Sequence, residues 1–230
     1  MIALTPAESE ALLLSLRISA VAVVCALPFA ILTAMLLAQT RFAGGILLDA
    51  LVHLPLILPP VAMGYLLLVV FGVHGPLGAW LLKTLNIRLV FSWTGAALAS
   101  AIVSFPFQVR AIRLALEQID LKLYHAAATL GAGPLGRLFS LTLPLALPGI
   151  IAGAITAFVA SLGEFGAIIT FVSNVPGETR TLPLAIYTAI QTPGGELAAA
   201  RLAALSIALG LAGLLSAEFV MRRIRQRARA

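Results

Sequence analysis

Charged residues are scarce in this 230-residue sequence, filling 10% of positions, where soluble domains average about 25%. A water-facing surface cannot be built from so few. The 61% hydrophobic content and a mean hydropathy of +1.07 make the chain a polytopic membrane protein, read as a single membrane domain over residues 1–230. Cysteine is nearly absent: Cys25 stands alone, which excludes an internal disulfide, and its apolar setting predicts a buried thiol acting as a small hydrophobe. No G-x-x-x-x-G-K-[ST] occurs, so no P-loop can hold ATP phosphates. H-E-x-x-H and paired intramembrane aspartates are also missing, which leaves an intramembrane enzyme without converging groups. The first apolar run is preceded by Glu8 and Glu10 and by no basic stretch, which argues against a cleaved signal peptide and for an N-terminus left outside. No repeat of the span pattern suggests a self-sufficient carrier.

What is present is a series of apolar runs long enough to cross a bilayer, about 20 residues each. They cover about Ile18 to Ala38, Leu51 to Val73, Ser92 to Val109, Pro144 to Val172 and Leu202 to Met221. Pro55, Pro59 and Pro60 must bend the first half of the second run, whose freed backbone groups call for burial in protein. Loops are expected at residues 74–91, bracketed by Trp80 and Trp93, and at 173–200, where the apolar stretch 182–190 is too short to cross but long enough to be re-entrant. The expected fold class is an all-α membrane protein with about five transmembrane helices.

An odd number of spans puts the termini on opposite sides. Arg222, Arg223, Arg225, Arg227 and Arg229 crowd the C-terminus. With that end inside, ten of the fifteen basic residues are cytoplasmic, Arg41, Arg110, Arg113, Lys122 and Arg137 among them. Lys83, Arg88, Arg180 and Arg201 then lie outside and Arg17 in the first lead-in. The bias supports N-out, C-in, and an arginine tail that anchors at the membrane surface rather than binding nucleic acid.

This orientation makes residues 110–144 cytoplasmic. Helix formers from Leu121 to Leu130, with Ala126, Ala127 and Ala128 in a row, run into Gly131 and Gly133-Pro134 as stop signals. A second short helix carries Arg137, Leu138 and Phe139 and is expected to end at Leu143-Pro144. Alanines let another backbone approach closely, so the segment reads either as a rigid docking knob or as a loop helix lying on the membrane surface.

The spacing His125-Ala126-Ala127, three residues, Gly131, nine residues, Leu141, one residue, Leu143-Pro144 resembles the Glu-Ala-Ala signature of ABC-importer permease subunits. Two positions depart from it: His125 stands where the family has an acid, and Leu141 where it has isoleucine. Residues 54–70, 161–167, 171–181 and 187–196 are similar to molybdate importer permeases, with tungstate and sulfate permeases as close relatives. The resemblance implies the type I importer permease fold and a coupling helix within residues 110–144 that docks in a partner ATPase, with His125, Ala126, Ala127, Gly131, Gly133, Arg137, Leu143 and Pro144 carrying that role. It also implies an inner-membrane homodimer, a dimeric ABC ATPase that holds ATP and magnesium, and an extracytoplasmic oxyanion-binding protein. No cofactor is expected on this chain, and its transport would proceed by alternating access.

Polar residues within the spans are candidates for the pathway. Glu164, flanked by Gly163 and Gly166, is either a paired or capping carboxylate, with Arg180 or Arg201 as its partner, or a gate; a bare carboxylate would repel an oxyanion. Thr156, Ser161, Ser173 and Asn174 are either neutral donors along the path or helix–helix hydrogen bonders. Gly149 and Gly153 form a small-xxx-small pair suited to close packing, within the subunit or between copies. Asp49 and His53, one turn apart, suggest a local hydrogen bond, and two ligands make no metal site.

Overall fold

A 33-residue helix, α1 (Pro6–Ala38), organises the bundle. The computed structural model describes residues 4–38 and 44–227, without the side chains of 221 and 223–227; Arg41 and Arg229 therefore lie outside the described residues. Helix α1 opens with a capping box, Thr5 Oγ1 accepting from the Glu8 amide at 3.3 Å and Glu8 Oε2 accepting from the Thr5 amide at 2.7 Å. Its buried side shows Ser15, Ser19, Ala22, Ala26, Ala30 and Ala34 at steps of three or four, a ridge of small residues along which a neighbouring helix can lie close. At about 50 Å, α1 is longer than the bilayer core, and the lead-in containing Arg17 is part of the same helix rather than a separate approach. We call the end where α1 starts the N-face and the end where it stops the C-face.

Helix α2 (Gly45–Ile57) and helix α3 (Pro60–Phe71) replace the single second span, and they bend by 115° at the break. The prolines act as expected, but burial does not follow: α2 buries Val52 alone and leaves Ile46 and Ile57 89% and 78% exposed. The backbone accounts for this, since the Leu58 amide still reaches the Leu54 carbonyl at 3.1 Å and the break leaves few polar groups to hide. Helix α4 (Pro76–Leu85) occupies the expected loop.

Helix α5 (Trp93–Glu117) packs between α1 and the later helix α8 (Leu143–Leu162) and runs two turns beyond the expected end, so Arg110 and Arg113 are helical rather than in a loop. Pro106 did not stop it, because neighbouring helices support a proline inside a membrane helix. Helix α6 (Leu121–Thr129) and helix α7 (Pro134–Arg137) follow. The second short helix does not end at Leu143-Pro144. A π turn over Leu138–Thr142 joins α7 to α8 (Leu143–Leu162), and Pro134–Leu162 forms one apolar rod of 29 residues. The wider turn, in which the Leu143 amide reaches the Leu138 carbonyl, relieves the clash Pro144 would make in a regular helix.

The fourth run breaks at Gly163–Phe165 before helix α9 (Gly166–Val172). Helix α10 (Leu182–Gln191) is the short apolar element expected near 182–190, and it packs on α1 and α11 (Glu196–Arg227). Four helices are long and apolar enough to cross a membrane, five with the bent pair taken as one span, and there is no strand among the described residues. Three clusters fill the bundle, the smallest of them joining Ala11, Leu182, Ala185 and Leu202 where α1, α10 and α11 meet; the other two are larger. One, toward the N-face, joins Ile18, Met63, Ala96, Ala99, Ile168 and Phe171; the other, toward the C-face, joins Ala30, Ala34, Val52, Val109, Ile112 and Ile150.

Cys25 is exposed, contrary to expectation. It lies on the wall of an apolar cleft of about 480 Å³ between α1, α2 and α5, with Phe29, Leu51, Pro55 and Ile102. The splayed α2 opens that cleft.

Candidate coupling surface and translocation path

Helix α6 hangs from the C-face between α5 and the α7–α8 rod. Asp120 caps its start, Oδ1 accepting from the Lys122 amide at 2.8 Å. Its end is a Schellman turn: the Ala132 amide reaches the Ala127 carbonyl and the Gly131 amide the Ala128 carbonyl, each at 3.0 Å, with Gly131 at φ +83°. A Cβ on Gly131 would meet nothing within 4 Å, so glycine is needed there for its backbone conformation and not for space. Gly133 also faces open space, and its φ of −67° makes no such demand.

No residue of α6 is buried. His125 and Ala126 are exposed and Ala127 half-buried, and beyond them Leu130, Leu135 and Phe139 are 87%, 72% and 67% exposed. Leu130, at the end of α6, is a bare apolar side chain on a projection, whereas Leu135 and Phe139 belong to the first turns of the Pro134–Leu162 rod; together they form an exposed apolar surface around the knob. Tyr124, which the sequence gave no reason to single out, donates to or accepts from Thr142 Oγ1 at 3.1 Å, and Thr142 donates to the Arg137 carbonyl at 3.2 Å. This strut ties α6 to the π turn at the root of α8. Arg137 is half-buried with its Nε unpartnered; Leu143 and Pro144 begin α8.

Gly149 and Gly153 serve contacts within the subunit. A Cβ on Gly149 would come 2.4 Å from Ala115 Cβ, and one on Gly153 would come 3.1 Å from Ala111 Cβ, so α5 and α8 are in close contact there. Asp49 and His53 bond as expected, His53 Nδ1 lying 2.9 Å from the Asp49 carbonyl. Asp49 also accepts from Arg113 Nη1 at 2.9 Å, and Arg113 Nε donates to Glu117 at 2.7 Å, which links α2 to α5. No sequence spacing pointed to that long-range pair.

The polar candidates in the spans do not share one site. Thr156 bonds back to the Ala152 carbonyl at 2.8 Å. Ser161 donates to Ser19 across α8 and α1 at 3.0 Å, both buried. Glu164, 8% exposed, accepts from the Ala167 amide at 2.8 Å and so caps α9. Neither arginine expected opposite it is its partner: Arg201 pairs with Glu8 and Arg180 donates to Asn174. Ser173, at φ +66°, and Asn174 open the loop beyond α9 on the N-face. Ser100 Oγ, Ser104 Oγ and Gln108 Oε1 are buried in α5 without a partner. There is no metal-binding group of three or more ligands among the described residues.

A bundle of apolar helices long enough to cross a bilayer, with an exposed knob between two of them, defines an integral membrane protein. Residues 26–226 match the family described as binding-protein-dependent transport system inner membrane component, and the chain belongs to that family. It is 58% identical over 225 residues, covering 98% of both chains, to the molybdenum transport system permease protein ModB of Escherichia coli K12. With the protein of the same name from Haemophilus influenzae it shares 50% over 220 residues, 96% of each. A chain from the crystal structure of a bacterial alginate ABC transporter in complex with alginate pentasaccharide-bound periplasmic protein superposes with a TM-score of 0.74 at 20% identity, over 96% of this chain and 80% of that one. That likeness gives the fold alone.

Proposed function

We propose that this chain forms the molybdate pathway of an ATP-driven importer by alternating access, as a homodimer in the inner membrane with its N-face outside. Two copies of a separate P-loop ATPase bind ATP and magnesium and dock on the α6 knobs; an extracytoplasmic oxyanion-binding protein delivers substrate to the N-face. The observation that carries this reading is the knob itself: unburied, stopped by a Schellman turn, and strutted by Tyr124 to the root of α8. The near-full-length similarity to molybdenum permeases supports the choice of substrate.

The knob is suited to transmit force. Residues 118–120 alone separate α6 from α5, and α7 runs through the π turn into α8. Helices α5 and α8 touch through Gly149 and Gly153, so a push on α6 moves both as one body. Ion passage needs contacts weak enough to release, and the hydroxyls of Thr156 and Ser161, bonded within the bundle, serve helix packing rather than the ion. Glu164 holds the junction of α8 and α9 in shape, where a change of angle would gate the outer mouth.

The test is co-purification of a P-loop ATPase with cross-links from residues 125–137 to it, followed by uptake of labelled molybdate in competition with tungstate and sulfate. Cross-links that reach only lipid, or uptake without the ATPase, would overturn the coupling; equal uptake of sulfate would overturn the substrate. The arginine tail labelled from outside would overturn the orientation.

A further inference from the structure

Basic side chains in the structure differ in what they end on. Arg113, Arg201 and Arg222 end on carboxylates, and Arg17 and Arg88 lie over the rings of Trp93 and Phe91. Arg180 ends on a neutral amide: its Nε donates to Asn174 Oδ1 at 3.0 Å, and it carries no counter-ion among the described residues. Asn174 cannot turn away, because its Nδ2 donates to Thr188 Oγ1 at 2.8 Å and Thr188 in turn donates to the Leu184 carbonyl at 2.9 Å. Arg180 is half-buried and held at Nε, and its Nη groups have no hydrogen-bond partner among the described residues.

The backbone is held as firmly. The amides of Glu178, Thr179 and Arg180 converge on the Val175 carbonyl at 3.2, 2.9 and 3.1 Å. Thr179, fully buried, donates to the Ser173 carbonyl at 2.9 Å and accepts from the Val175 amide at 2.8 Å. The Leu182 amide donates to Ser15 at 2.7 Å, which moors the loop to α1 on the N-face. Ordering a long arginine side chain normally costs conformational entropy on binding; here the fold has already imposed that order.

We infer that Arg180 is a receiving site for the tetrahedral oxyanion at the N-face mouth of the path. A planar guanidinium with free paired N–H groups matches the edge of such an anion, and partial burial weakens screening of its charge by salt. Asn174 positions it without neutralising it, as an aspartate would. A single guanidinium with no surrounding cage of amides binds weakly enough to pass the anion on. The inference rests on the proposed substrate and orientation.

The experiment uses the assembled transporter in proteoliposomes with its loaded binding protein, comparing wild type with Arg180→Gln, Arg180→Lys and Asn174→Asp. The aspartate keeps the hydrogen bond to Arg180 and accepts from Thr188 once that hydroxyl turns, while supplying the counter-ion the site lacks. At saturating loaded binding protein, Arg180→Gln and Asn174→Asp should lower molybdate uptake at least about tenfold, the scale for losing a hydrogen bond to a charged group, with Arg180→Lys between them and wild type. The binding-protein concentration that half-maximally stimulates ATP hydrolysis should stay unchanged. Wild-type uptake in Asn174→Asp overturns the inference, as does a defect that appears instead in binding-protein half-saturation, which would make Arg180 a docking residue. Failure of the wild-type assembly to take up molybdate would count against the proposed function itself, independently of the variants.

Discussion

The two faces of the bundle hold their short helices in opposite ways. On the C-face, α6 buries nothing and leans on the body through the Tyr124–Thr142 hydrogen bond. On the N-face, α10 buries Leu182, Leu184 and Ala185, and the loop before it is laced by buried threonine and serine hydroxyls. Segments with few buried contacts are the ones that depend on an outside partner for their order, whereas densely bonded ones hold their shape alone. Under the proposed function the C-face is the handle for a partner and the N-face a preset rim.

The contrast needs a rigid body between the faces, and breaking that body should have the largest effect. Gly149→Leu would place a side chain where even a Cβ lies 2.4 Å from Ala115 and 2.8 Å from the Ala111 carbonyl. Overpacking of this kind costs about 1–3 kcal/mol or more, and the expected result is loss of the monodisperse, detergent-extracted chain on size exclusion. Gly210→Leu, in open space, should elute as wild type.

Gly131→Val attacks the handle alone. No atom obstructs it, but φ +83° costs a β-branched residue about 1–2 kcal/mol. The expected outcome is either failed assembly with the ATPase or hydrolysis without uptake; Gly133→Ala should leave both intact. Normal coupling in the valine variant would remove the basis for calling α6 a handle.

Effects on the rim and the strut should be smaller. Glu164→Gln keeps an acceptor for the Ala167 amide but weakens the cap by a fraction of the roughly 0.5–2 kcal/mol a full loss costs. Uptake should fall while membrane insertion, read by protease protection, stays normal. Tyr124→Phe deletes a hydrogen bond worth about 0.5–1.5 kcal/mol. A modest drop in molybdate imported per ATP is expected, with transporter quantity unchanged.

Much of this architecture was legible in the residues, and the exceptions share a cause. Apolar length and the positions of Gly131, Gly133 and Pro134 located the spans and the α6 stop, because those signals are local. Pro144 misled as a helix end: a π turn five residues long absorbs its clash, and no composition marks such a turn. The pairing of Glu164 was misplaced because a backbone amide three residues away was nearer than any arginine. Arg113 with Asp49, Arg201 with Glu8 and Tyr124 with Thr142 join residues distant along the chain, and only the packed bundle brings them together. The Gly149–Gly153 pair announced close contact, but its partner, α5, emerged only from the fold.

Cys25 offers a practical return. A chain with one thiol, standing open in the cleft that the splayed α2 leaves beside α1 and α5, comes with a single built-in address for a fluorophore or spin label. A probe attached there would watch that cleft widen or shut through the transport cycle with no background from other cysteines of this subunit.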